Sequence, residues 1–249
     1  MATSQKTGSS SFKDARFTTT HWSVVLAAGT PESPRQKEAL ETLCRIYWYP
    51  LYAYLRRGGY NPDEAEEHTQ AFFVHVLEKN FFSKVAPKPA KFRSFLLIAL
   101  KHFLIDKFHY ITAAKRGGEK KRLLLDYGAG EKRYTLEPSH NLSPEKIFER
   151  SWALTVLDKT LERLETELAG MNKQRLFDTL RNHLYGNIAT VSYRDVAARL
   201  GMTEAAVKVA VYRLRKRFRE ILCDEISQTV DSPEYIEEEL HALRAALAR

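Results

Sequence analysis

The stretch YRDVAARLGMTEAAVKVAVY, residues Tyr193 to Tyr212, has the spacing of two helices that meet at a tight turn. The small residue Ala197 falls where the first helix must approach the second closely, and Gly201 follows four residues later at the turn. Val207 is then expected to pack into the core from the second helix. The pattern predicts a helix-turn-helix.

Capping residues and charge extend this interpretation. Ser192 with Asp195 is suited to cap the first helix, and Thr203 to cap the second. Basic residues follow on and just past the second helix: Lys208, Arg213, Arg215, Lys216, Arg217 and Arg219. A helix charged in this way suits the major groove of DNA. An ordinary helix pair with a solvated basic face is the alternative.

The composition suits a two-domain protein with a polyanionic partner. The chain has 249 residues and a formal net charge of +8, and the positive charge is clustered. Cys44 and Cys223 lie far apart and match no metal-ligand spacing, which favours structural thiols in a reducing cytoplasm. No window reaches the roughly 20 apolar residues of a membrane span, and the N-terminus lacks a signal-peptide core. We therefore expect a cytoplasmic protein without membrane insertion.

Helix-start signals recur along the chain, whereas strand signals do not. Ser33-Pro34-Arg35-Gln36 and Asn61-Pro62-Asp63-Glu64 each combine a cap residue, a proline and a capping-box partner. The first predicts a helix from Pro34 to Arg57, which ends before two glycines. The apolar segment Lys91 to Tyr110 is too long for a buried strand and predicts a core helix. The expected fold class is all-α, with two helical domains.

The domain boundaries follow from changes in composition. Residues 113–142 are rich in glycine and basic residues and are predicted to be a flexible linker. We expect a disordered segment at 1–18, a helical bundle at 19–112, the helix-turn-helix domain at 143–223 and an acidic helical extension at 224–249.

Aromatic and basic residues are concentrated before and within the third helix. The segment Lys79 to Ala90 is a basic, proline-containing loop. The predicted core helix that follows contains four phenylalanines: Phe92, Phe95, Phe103 and Phe108. Aromatic residues on a helix usually belong to the core. The alternative is a surface that stacks unpaired bases and holds phosphates, beside a loop that accepts an extruded base.

Catalysis has little support in the sequence. Glu64 and His68 share a helix face, but no second Glu-x-x-His set completes a metal site of the helical-bundle type. A solvated acidic helix start explains these residues better, because the helix dipole favours carboxylates there. No phosphate-binding loop, nucleophile elbow or zinc-finger spacing occurs. We expect no enzymatic activity, no metal and no cofactor.

The order of these parts resembles the extracytoplasmic-function sigma factors of bacterial RNA polymerase. The likeness covers about Lys37 to Leu222. EAEEHTQAFFVHVLE, residues 64–78, looks like the helix with which that family binds core polymerase, and Ala65, Glu66 and Gln70 match its pattern. The polymerase-binding residues that the resemblance implies are Glu66, Glu67, Gln70, Phe73 and Val74.

FRSFLLIALKHFLIDKF, residues 92–108, is similar to the promoter-melting helix of the family. Phe92, Arg93, Leu96 and Asp106 match. The residues implied to bind the −10 element are Phe82, Lys91, Arg93, Phe95, Lys101 and His102. Of these, Phe95, Lys101 and His102 replace the Trp, Arg and Asn that the family usually carries.

The second domain keeps the helix-turn-helix pattern but changes its recognition segment. The usual Gly-Thr-Val-Lys-Ser-Arg becomes AAVKVA, residues 205–210, and a cation is lost at Ala210. The residues implied to bind the −35 element are Thr203, Glu204, Ala205, Lys208, Val209, Tyr212, Arg213, Arg215 and Arg217.

The resemblance implies a sigma factor that binds the clamp and flap of core RNA polymerase and directs promoter-specific initiation in the bacterial cytoplasm. It would melt the −10 element and recognise the −35 element of promoter DNA, and an anti-sigma factor is a further candidate partner. One alternative is a stand-alone helix-turn-helix regulator with an N-terminal sensor or dimerisation bundle. Another is a metal-dependent oxidoreductase.

The acidic extension has two interpretations. Its carboxylates, such as Glu237 and Glu239, would fold back to shield the cations between Arg213 and Arg219. Alternatively, Ile236, Leu240 and Leu243 pack the helix onto the second domain.

Overall fold

A computed structural model of the chain describes residues 34–78, 92–113, 128–136, 142–184, 191–227, 230 and 233–248. All regular structure in these residues is helical, which confirms the expected all-α class. The α-helices are α1 (Pro34–Arg57), α2 (Pro62–Glu78), α3 (Phe92–Ala113), α4 (Gly128–Leu136), α5 (Pro144–Gly170), α6 (Gln174–Leu180), α7 (Tyr193–Leu200), α8 (Glu204–Ser227) and α9 (Ile236–Leu247). Short 3-10 helices follow α6 and precede α9.

Local capping chemistry fixes the helix starts that the sequence predicts. The Asn61 side chain accepts a hydrogen bond from the Glu64 amide at 2.9 Å, and the Glu64 carboxylate accepts one from the Asn61 amide at 3.0 Å. The Ser143 hydroxyl accepts from the Lys146 amide at the start of α5. These caps satisfy amide groups that have no partner within the helix.

The first of two apolar clusters, the N-terminal cluster, receives more of its buried residues from α1 than from any other helix. Its fully buried members include Tyr47 and Leu51 of α1, Phe72 of α2 and Leu100 of α3. The first half of α5 joins it through Trp152. Because these side chains interdigitate, α5 packs closely on α1 although the two helices lie far apart in the sequence.

The second apolar cluster lies at the other end of α5. Leu164 of α5 packs there with residues of α6, α7 and α8: Phe177, Leu180, Val196, Val207, Val211, Leu214 and Ile221. Helix α5 therefore contributes to both clusters. The predicted domain boundaries remain predictions, but the N-terminal half of α5 packs with the earlier helices rather than with the second cluster.

Part of the predicted flexible linker is a docked helix. Residues 128–136 form α4, and the absence of a side chain at Gly130 lets this helix approach Trp48 of α1 closely. The Glu131 carboxylate accepts hydrogen bonds from Arg56, at 2.9 Å from both Nε and Nη2, and from the Tyr52 hydroxyl. The Arg56 guanidinium holds the pKa of Glu131 below its usual range. The glycine content of residues 113–142 predicted flexibility, whereas Gly130 serves close packing.

The C-terminal extension packs onto both preceding parts of the fold. Leu240 and Leu243 of α9 are buried in the N-terminal cluster. Glu239 is also buried, whereas Glu237 forms an exposed ion pair with Arg219 at 3.0 Å. Leu240 and Leu243 are buried, as the packing interpretation expects, but in the N-terminal cluster and not in the second cluster. The Glu237–Arg219 pair is a contact of the kind that the shielding interpretation expects.

A methyl group at Gly130 should disturb the docking of α4. A Cβ at this position would lie 2.6 Å from Trp48 Cζ3, too close for van der Waals contact. We expect Gly130→Ala to lower the free energy of unfolding by about 1–3 kcal/mol, as other overpacked sites do. Faster amide hydrogen exchange in residues 128–136 should accompany the loss.

Gly170→Ala is the matched control for this experiment, because a Cβ at Gly170 would meet nothing within 4 Å. Equal effects of the two substitutions in urea denaturation would contradict the docking of α4 on Trp48.

Candidate nucleic-acid interface

Helices α7 and α8 each have a side-chain cap at the N-terminus, and Gly201 ends α7 at the turn between them. Gly201 adopts a left-handed conformation, with φ 65° and ψ 34°, that favours glycine. The Ser192 hydroxyl accepts from the Asp195 amide, and the Thr203 hydroxyl accepts from the Ala206 amide, each at 3.2 Å. The predicted capping residues are therefore confirmed. Gly201 and the Thr203 cap define the path of the chain from α7 into α8.

Helix α8 has a buried face and an outward face. Val207, Val211 and Leu214 point into the second cluster. On the opposite side, the side chains of Val209 and Tyr212 are 48% and 69% exposed. Large apolar side chains with this exposure, next to charged groups, are typical of a surface that binds a partner.

Cations surround these apolar residues on α8. Arg213 and Lys216 are exposed, and neither forms an ion pair within the part of the chain that the structure describes. Lys208 pairs with Glu204 at 2.9 Å across one helical turn, and this contact raises the pKa of Lys208. The outward face therefore presents positive charge to an anionic partner.

Two other predicted DNA-binding cations are engaged within the protein. Arg215 donates twice to the backbone carbonyl of His183, at 2.9 and 2.7 Å, and so ties α8 to the 3-10 turn after α6. Arg217 pairs with Glu167 of α5 at 2.8 Å and with Glu220 at 2.9 Å, which raises its pKa. We therefore assign both side chains a role in holding α8 in place.

Arg93, predicted to bind the −10 element, is buried. Its side chain is 5% exposed, and its guanidinium lies 4.3 Å from the centre of the Trp152 ring. It pairs with Glu149 of α5 at 2.6 Å and with Glu239 of α9. We call these three charged residues the Arg93 cluster. While they are paired, the guanidinium is not accessible to DNA.

The other residues predicted to bind the −10 element differ in their exposure, and two of them lie outside the described residues. Phe82 and Lys91 lie outside the described residues. Phe95 is half-buried against the N-terminal cluster, and Lys101 donates to Glu145 at 2.9 Å. His102 is exposed. It shares the outer side of α3 with two side chains that the sequence analysis had not singled out, Ile98 and Ile105, each 53% exposed.

The predicted polymerase-binding residues of α2 divide into surface and core. Phe73 is 4% exposed and packs in the N-terminal cluster, so it supports the helix from inside. Glu66 accepts a hydrogen bond from Gln70 at 3.0 Å, and Glu67 pairs with Lys107 of α3 at 3.1 Å. Val74 is partly exposed. Glu66, Gln70 and Val74 are spaced four residues apart and follow one line along α2.

Neither a metal site nor a membrane-spanning helix is evident in the described residues. No group of three potential metal ligands comes together among them. Glu64 serves as a helix cap, and Nδ1 of His68 lies 3.0 Å from the Lys107 amine. None of the helices has the length and hydropathy needed to cross a bilayer.

Comparisons of this chain with protein-family models, with curated proteins and with solved structures found no match. The function of the chain is therefore inferred from its own residues.

The two types of arginine on α8 should respond differently to substitution. Arg213→Ala should weaken DNA binding and reduce the slope of log affinity against log salt by about 0.9, because one phosphate contact is lost. Arg215→Ala should lower the free energy of unfolding by about 1–3 kcal/mol through the lost hydrogen bonds to His183. Salt-dependent binding curves and urea denaturation measure the two effects. A destabilised Arg213→Ala protein with an unchanged salt slope would contradict the assignment.

Removing a carboxylate from the Arg93 cluster should lower the free energy of unfolding. Glu239→Ala removes a buried carboxylate and leaves Arg93 paired with Glu149 alone, and we expect it to lower the free energy of unfolding by about 1–3 kcal/mol, the range for a buried group that loses one hydrogen-bonding partner. The control is Glu237→Ala, which removes an exposed pair worth less than about 1 kcal/mol. Chemical denaturation should separate the two variants. Similar stabilities would show that the cluster does not hold α9 in place.

Proposed function

We propose that this chain is a sigma factor of the extracytoplasmic-function type, which binds core RNA polymerase and recognises promoter DNA. The observation that carries the proposal is the outward face of α8. It combines exposed apolar residues with two cations that lack ion-pair partners among the described residues. The face belongs to a capped helix pair with a left-handed glycine at its turn, a geometry suited to inserting the second helix into a major groove.

The surface of α2 supports the second part of the proposal, which is polymerase binding. Glu66, Gln70 and Val74 lie along one line, while Ala65 and Phe72 anchor the opposite side in the core. The acidic and amide groups on this line are suited to a basic partner surface. The helix is thus held rigidly while its contact residues stay accessible, which limits the conformational entropy lost on binding.

The proposed −10 contact requires a conformational change. Arg93 would reach DNA only after Glu149 of α5 and Glu239 of α9 have moved away from α3. On this proposal, the described arrangement is that of the protein before it meets polymerase, and the energy of polymerase binding separates α3 from α9. An exposed His102 and the apolar side chains beside it would contact DNA without such a change.

A stand-alone DNA-binding regulator is the second candidate function. The packing of α5 into both apolar clusters favours it, because one continuous helix connects the N-terminal bundle to the α7–α8 pair. Such a protein would bind its DNA site without polymerase. The two candidates therefore differ in their partner rather than in their DNA-binding surface.

Co-purification with core polymerase tests the proposal. The purified chain should form a stable complex with core polymerase, and the double variant Glu66→Ala, Gln70→Ala should weaken it by tenfold or more. An interfacial charge pair worth about 2 kcal/mol or more gives an effect of this size. The control is Glu162→Ala, an exposed carboxylate on α5. If the unmodified chain binds duplex DNA but not polymerase, the stand-alone regulator is the correct function.

A further inference from the structure

The centre of the outward face of α8 presents two apolar groups, the Val209 side chain and the Tyr212 ring. Ala205, Val209, Tyr212 and Lys216 recur at intervals of four, three and four residues, so they form one stripe along the helix. This stripe lies opposite the buried residues of α8. Val209 and Tyr212 are among the six exposed large hydrophobic residues of the part of the chain that the structure describes.

Positive charge borders the stripe on both sides and at its far end. Lys208 lies on one side, Arg213 lies on the other, and Lys216 continues the stripe itself. An anionic partner with an apolar centre would match this pattern. A second copy of the same face would not, because it would bring Arg213 and Lys216 against like charges.

We propose that Val209 and Tyr212 recognise thymine methyl groups in the major groove, so that the bound DNA element is selected for thymine at the positions they contact. This inference rests on the proposed DNA-binding role of α8. The C5-methyl of thymine is the apolar group that base edges present in the major groove. The phosphates on either side of the groove would meet Arg213 and Lys208.

The chemistry of Val209 explains why other bases would be rejected. An aliphatic side chain neither donates nor accepts hydrogen bonds. If it faced the edge of guanine or cytosine, the polar groups of that base would lose water without gaining a partner. A thymine methyl in the same place replaces water with an apolar contact, and the exposed surface of Val209 becomes buried. The selection therefore operates through desolvation.

Deoxyuridine provides a direct probe, because it differs from thymidine in DNA only by the absence of this methyl group. The full-length chain, with and without core polymerase, is used to select bound duplexes from a random pool at low salt. Single thymines in the selected site are then replaced by uracil. We expect a loss of about fourfold in affinity per contacted methyl, the fold-change that corresponds to about 0.8 kcal/mol for one buried methyl group.

Two variants identify the residues responsible. Val209→Ser and Tyr212→Ser should each lose the difference between thymine and uracil at the position that the substituted residue contacts, because that apolar contact is gone. Arg213→Ala should weaken binding to both duplexes and keep the fourfold difference. Circular dichroism and thermal melting verify that the variants are folded, which their exposed positions lead us to expect.

The outcomes distinguish a failure of DNA recognition from a failure of the methyl contact alone. Absence of any selected duplex, with or without polymerase, would overturn DNA recognition itself and this inference with it. Selected duplexes that bind equally well with thymine or uracil would overturn only the methyl contact. If Val209→Ser instead converts a dimer to a monomer in sedimentation, the stripe is a protein–protein interface and the inference is wrong.

Discussion

The packing of α5 and α9 against α3 depends on the buried charge at Arg93. One guanidinium connects α3 to α5 through Glu149 and to α9 through Glu239, and the Trp152 ring covers it. A buried charge is tolerated only where it is paired, so these contacts constrain how three helices sit together. Replacing the same contacts with apolar groups would remove that constraint on geometry without necessarily lowering stability.

Helix α5 connects the Arg93 cluster to the candidate nucleic-acid interface. Its first half packs in the N-terminal cluster, and Leu164 and Glu167 in its second half meet the second cluster and Arg217 of α8. The outward face of α8 is therefore presented from a rigid support. By contrast, the residues that would meet DNA on α3 are partly closed off by α9. One surface is ready to bind, whereas the other depends on a change in helix packing.

Local chemistry made part of this architecture predictable. Asn61, Ser192, Thr203 and Gly201 act within a few residues of their own positions, so their spacing alone predicted the caps and the turn. Tertiary packing was not predictable in this way. A glycine such as Gly130 is compatible with a flexible linker and with a close helix contact, and only the position of Trp48 distinguishes the two. Likewise, nothing near Arg93 in the sequence indicates that Glu239 is its partner.

Run-off transcription with purified core RNA polymerase tests the central claim most directly. The template is a library of genomic fragments, and the chain is the only added factor. The account predicts new transcripts with defined 5′ ends, whose upstream sequences share two separated elements. If no such transcripts appear while the same polymerase remains active on nicked DNA, the protein is not a sigma factor and the account is contradicted.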